Sequence, residues 1–194
     1  MTYDTWTGTE ILWAGPPASY TAGGSSSTAA FALTAGSSGN YQQPLIRGLL
    51  LQQGRNNQVV TVEGWLEVSA EGSATTLTVT VALSTSANQS SGSTLLAFPA
   101  FTVTSYSTGG IWFKTTTICR GVGYGTSATS TNLETSAQYL GTGNSTTIQG
   151  VVNMTQLNNI DFSLNQWVTV IGQFSTNNAS NSAQLMQAIL RGEN

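Results

Sequence analysis

The sequence predicts an all-β fold, an antiparallel β-sandwich or barrel built from many short strands. Three observations carry that reading. Residues 58–70 and 75–84 alternate apolar and polar side chains with period two. Turn-forming residues recur at short intervals between such runs. No stretch sustains the 3.6-residue period of an amphipathic helix.

In the first of these strands Val60, Val62, Leu66 and Val68 share one face, and Thr61, Glu63, Glu67 and Ser69 share the other. In the second, Leu77, Val79, Val81 and Leu83 point inward and Thr76, Thr78, Thr80 and Ser84 outward. A threonine-rich outer face suits a strand, because β-branching restricts χ1 and fits a pleated surface. Further strands are expected at Leu45–Gln52, Thr94–Thr104, Ile111–Arg120, Ser136–Leu140, Thr147–Met154, Gln166–Phe174 and Ala183–Arg191. Ala183–Leu190 also fits a helical template. The strand Gln166–Phe174 carries apolar groups on both faces: Val168, Val170 and Phe174 on one, Trp167 and Ile171 on the other. A strand with one solvated face is not written this way, so its second face needs a cover, from the N-terminal segment or from a neighbouring subunit.

Residues 1–43 read differently from the domain at 44–194. Trp6, Ile11, Leu12 and Trp13 form an apolar cluster closed by Gly15-Pro16-Pro17, which interrupts regular structure. A Gly/Ser/Ala-rich stretch follows, broken by Phe31 and Leu33. The segment reads as an extended arm whose apolar residues dock on another chain, or as a strand that folds back on its own domain.

Charged residues make up only 7% of the chain, against about 25% in ordinary soluble proteins. The polar surface must therefore be hydroxyl and amide. The pI is about 4.6, and the basic residues Arg47, Arg55, Lys114, Arg120 and Arg191 are scattered. That argues against nucleic acid and against anionic membranes. No apolar run approaches the roughly 20 residues of a membrane-spanning helix, and the N-terminus is not read as a secretory signal.

The chain has no histidine, which excludes Ser-His-Asp and Cys-His catalysis and histidine metal ligation. Cys119 is expected to be a small core residue. Glu63, Glu67 and Glu71 are expected on a solvated strand face, opposite Lys114 or Arg120 of a neighbouring strand, where carboxylates keep ordinary acidity and do not become general acids. Gly121-Val122-Gly123-Tyr124-Gly125 has the glycines of a phosphate loop, but no helix or lysine follows it. The expectation is no enzyme, no cofactor and no metal. Trp65, on an outer face, and Trp112 and Tyr124, near a loop, would serve as a protein interface or a sugar platform, and the interface fits better.

From Leu49 onward the order of segments resembles a family of bacteriophage jelly-roll structural proteins. The resemblance lies in Leu49-Leu50-Leu51-Gln52-Gln53-Gly54, the strand Val59–Ala70 with its internal Gly64, and the threonine-rich strand from Thr75 to Val81. It continues through Trp112-Phe113-Lys114, the strand ending in Cys119-Arg120-Gly121-Val122-Gly123, and the closing strands Gln166–Phe174 and Ala183–Arg191. The resemblance implies a jelly-roll sandwich and a virion role, as a decoration or cement protein on the capsid surface or as a neck or tail subunit. Its partners would be the major capsid protein and further copies of itself as a homotrimer, with a surface glycan as a possible ligand. On this reading the arm residues Trp6, Ile11, Leu12, Trp13, Phe31 and Leu33, together with Trp167 and Ile171, would bind the partner.

Overall fold

A computed structural model describes residues 9–15, 18–22, 29–33, 45–46, 59–69, 75–86, 91–103, 109–120, 131–143, 146–161, 164, 166–178 and 181–193. These residues fold as two antiparallel β-sheets packed into a sandwich. The strands are β1 (Thr9–Gly15), β2 (Ala18–Ala22), β3 (Phe31–Ala32), β4 (Leu45–Ile46), β5 (Val59–Ser69), β6 (Thr75–Ser84) and β7 (Ser93–Ala97). They continue with β8 (Phe101–Val103), β9 (Gly109–Arg120), β10 (Thr131–Gly143), β11 (Thr146–Ile160), β12 (Gln166–Phe174) and β13 (Asn181–Glu193). The larger sheet runs β1-β13-β5-β9-β10-β11, with β2 also on β13. The smaller runs β3-β12-β6-β7, with β4 on β12 and β8 on β6.

The alternation read in β5 and β6 places side chains as expected. Val60, Val62, Leu66 and Val68 are buried, as are Leu77, Val79, Val81 and Leu83. They join residues of β9, β10, β12 and β13 in one hydrophobic cluster between the sheets, each such side chain contributing about 1.5–3 kcal/mol. Phe98 and Phe101 meet Phe113 and Tyr139 edge-on, with ring centroids 5.4–5.9 Å apart, and so join the two sheets. Threonines enter this core by making local bonds. Thr115 donates to the Val62 carbonyl, and the hydroxyls of the cross-strand pair Thr117 and Thr135 lie 3.0 Å apart. Thr61 departs from the expected pattern. It belongs to the outward-facing set, yet it is buried and its hydroxyl has no partner.

Three cross-strand pairs set an aromatic ring against a glycine: Phe113 with Gly64, Tyr139 with Gly150, and Phe31 with Gly172. In each, a Cβ on the glycine would run into the ring.

Several expectations change. The candidate strand Thr94–Thr104 is two strands, β7 and β8, separated by Phe98-Pro99-Ala100. Pro99 has no N–H for a ladder bond, while the Phe98 N–H donates to the Val79 carbonyl at 2.9 Å. The strands foreseen at Ser136–Leu140 and Thr147–Met154 extend to Thr131–Gly143 and Thr146–Ile160. Residues 183–190 are strand, because β13 is sandwiched between β5 and the β1/β2 track.

Of the two readings of the N-terminal segment, its described residues take the one in which strands fold back on their own domain. β1 and β2 lie end to end along β13, and β3 and β4 pair with β12, all within one molecule. Phe31 (5% exposed) and Leu33 (0%) are core residues: Phe31 stacks on Phe174, and the Leu33 N–H donates to the Val170 carbonyl. The second face of β12 is partly covered within the chain: Thr169 and Ile171 are buried, Trp167 is half-buried and Gln173 is exposed.

Candidate functional site

The outer face of the larger sheet gathers several of the exposed aromatic and apolar groups, Trp65, Leu140, Val151 and Met186. Its position follows from strand parity: where Leu66, Ile111, Phe113 and Tyr139 turn inward, Trp65, Trp112 and Leu140 turn outward. The register then aligns them across the sheet. Gln187, Trp65, Trp112, Leu140 and Gln149 form one transverse row over β13, β5, β9, β10 and β11. The adjacent row is Ile189, Glu63, Lys114, Gln138 and Val151. Trp65 is 49% exposed, Leu140 48% and Val151 68%. Met186, the extra residue where the β13–β5 register shifts, is exposed beside Trp65.

Trp65 and Trp112 lean together, with ring centroids 6.4 Å apart and planes inclined by 52°. The Trp112 indole Nε1 donates to Glu63 Oε1 at 2.9 Å, and Arg191 donates from its guanidinium to Glu63 Oε2 at 3.0 Å. One carboxylate thus fixes the plane of one indole and is itself held by a cation from β13. Lys114 is the cross-strand neighbour of Glu63, but the ion pair goes to Arg191, and Arg120 pairs with Glu134. The expected pairing of the β5 carboxylates with Lys114 or Arg120 is therefore corrected. Such partly solvated pairs are worth only about 0.2–1 kcal/mol, so this one acts mainly to orient Trp112. Toward the edge of the sheet the face dips into a shallow depression of about 470 Å³, lined by Trp112, Gln138, Leu140, Gln149, Gly150 and Val151.

The residues expected to bind a partner do not converge on this face. Trp6 lies outside the described residues. Ile11, Leu12 and Trp13 lie in β1, whose backbone pairs with β13. Phe31, Leu33 and Ile171 are buried, and Trp167 is half-buried on β12 of the other sheet. The glycine-rich segment 121–125, Glu71 and Tyr124 also lie outside the described residues. Leu140, Val151 and Met186 were not singled out from sequence. The signal for Leu140 was its neighbour Tyr139, whose inward turn sends the next side chain out.

Cys119 occupies the core as expected, and burial pushes its thiol up to about 12. Among the described residues no group of three or more His, Cys, Asp or Glu side chains is placed to hold a metal ion. No described helix is long and apolar enough to cross a membrane.

No protein-family model matches the sequence, and no curated protein matches it. Among solved structures, the legume lectin-like domain from Entamoeba histolytica aligns with a TM-score of 0.21 at 8% identity, covering 70% of this chain and 72% of that one. A likeness of that size carries no argument here.

Proposed function

We propose that this protein is a non-enzymatic assembly subunit, a bacteriophage virion structural protein with a jelly-roll sandwich. It decorates the capsid by docking on the major capsid protein through the outer face of its larger sheet. The observation that supports this is the transverse row Trp65–Trp112–Leu140 with Val151 in the row beside it, where Trp65, Leu140 and Val151 stand exposed and Trp112 is half-buried. Exposed aromatic side chains are enriched at the centres of protein interfaces. The segment resemblance from Leu49 onward adds the virion context, and a neck or tail position remains the variant of the same reading. The test is co-sedimentation of the full chain with phage shells that lack it. Binding that disappears in Trp65→Ala and Trp112→Ala supports the assignment, and binding that both variants retain refutes it.

A second reading, a glycan-binding face, is favoured by one specific feature. The Trp112 indole is held in place by Glu63 beside Trp65, with Gln138 and Gln149 nearby. Oriented rings stack on sugar faces while side-chain amides bond their hydroxyls. Binding to a glycan array that is lost on Trp65→Ala would select this reading over the first.

A further inference from the structure

The larger sheet has two edges. One is filled by β1 and β2 on β13. The other is β11, a 15-residue strand that no described strand pairs on its far side. Proteins usually blunt such an edge with lysine, proline or a very short strand, since a row of open N–H and C=O groups is a template for another chain. Between Thr146 and Ile160 there is no charged residue and no proline. Val151 and Met154 stand 68% and 62% exposed on it. Register shifts with β10 occur only beyond Val152, the last near Asn159 at φ 61°. The stretch Thr146–Val152 therefore runs unbroken against β10.

We propose that β11 is a self-assembly edge, which pairs antiparallel with β11 of a second copy to make one sheet continuous across two molecules. Self-pairing is favoured by charge: the chain carries a net charge of -3, yet this strand meets its twin with no like charges opposed. A two-fold axis across the edge also continues the stripe from Trp112 and Leu140 through Val151 into the same residues of the second copy, as an isologous contact requires. The unbroken stretch Thr146–Val152 makes an edge about 25 Å long and about 10 Å tall. Two copies then bury on the order of 500 Å², in the range of weak, transient contacts. The dimer is accordingly reversible. This proposal stands on the edge alone and does not depend on the virion reading.

The test is sedimentation of the full-length purified chain over a concentration series, with no particle present. A concentration-dependent dimer is expected. The double substitution Gln149→Lys with Val151→Lys falls on exposed side chains and should leave the circular dichroism spectrum unchanged while raising the dimer dissociation constant at least about tenfold. An equimolar mixture with the Gln149→Glu, Val151→Glu form should restore a mixed dimer. Trp65→Ala should dimerise normally, which separates loss of the edge from loss of the docking face. A wild-type chain that stays monomeric to about 1 mM, or a lysine variant that dimerises as well as wild type, would overturn the proposal. So would a dimer broken by Trp65→Ala alone, or an edge that takes up only an extended peptide of another protein.

Discussion

Replacing Gly64 with alanine tests whether the ring-on-glycine contacts hold the sandwich together. A Cβ at residue 64 would lie 2.5 Å from Cζ and 2.6 Å from Cε1 of Phe113, and 3.3 Å from Cδ1 of Leu185. Carbon atoms in contact sit at about 3.5–4.0 Å, so the ring must retreat by about 1 Å. Phe113 is 1% exposed and is met edge-on by Phe98, so retreat displaces the aromatic cluster between the sheets. Overpacking of this kind costs about 1–3 kcal/mol. Alanine returns about 0.4–1 kcal/mol by restricting the unfolded chain. The net loss is about 1–2 kcal/mol, or about 2–8 °C in Tm for a chain of this size. Urea unfolding followed by tryptophan fluorescence should show a lower midpoint at unchanged slope. Gly110→Ala is the control, since the nearest atom to its Cβ is 4.0 Å away, and it should cost nothing. In a Phe113→Leu background the cost of Gly64→Ala should largely vanish. Equal stability of Gly64→Ala and wild type, or an undiminished cost in the leucine background, would refute the reasoning.

Thr135→Val should cost about 1–3 kcal/mol by stranding the Thr117 hydroxyl, whereas the double change Thr117→Val, Thr135→Val should be near neutral; denaturation of the four-member cycle measures both. Thr61→Val should stabilise by about 1 kcal/mol, because the hydroxyl it removes is buried without a partner, and thermal unfolding reads the gain. Cys119 should resist thiol reagents in the folded state and react on unfolding. Burial pushes its thiol up to about 12 when folded, against an ordinary 9.0 in the unfolded chain, so folding binds the extra proton between those values. Its effect is absent below pH 9.0 and stability falls as pH rises from there towards 12. Cys119→Ser or Cys119→Ala should flatten that part of the stability profile.

The interior of the fold was legible where one face of a strand is greasy and the other is not. β5, β6 and the inward half of β12 announce themselves this way, because burial writes a period of two into the residues. β10 and β11 were read too short for the opposite reason. Their added ends are mostly Thr, Asn, Gln, Glu and Gly, and the few apolar residues among them, Leu133, Leu157 and Ile160, are too sparse to show an alternation. The destination of the N-terminal apolar residues was not legible either. Phe31 looks like an anchor in search of a surface, and only pairing shows that its surface is Gly172 of its own chain. For the candidate site, parity alone turned Trp65 outward. That it stands beside Trp112, and that Glu63 steadies that indole from the next row, is a property of register. Register is a relation between distant segments that no single strand contains.

The place of β13 has a consequence for how the molecule comes together. It is the last of the described strands to be synthesised, yet it is inserted between β5 and the earliest two. Until it arrives, β1 and β2 have no backbone ladder to join, and β5 has an open flank. The sheet thus closes like a zip whose slider comes from the far end of the chain, which places its folding among the slow, non-local β-topologies of about milliseconds to seconds. A nascent chain lacking only this segment would expose the flank of β5 to its neighbours, and a chaperone would meet that intermediate before any partner does.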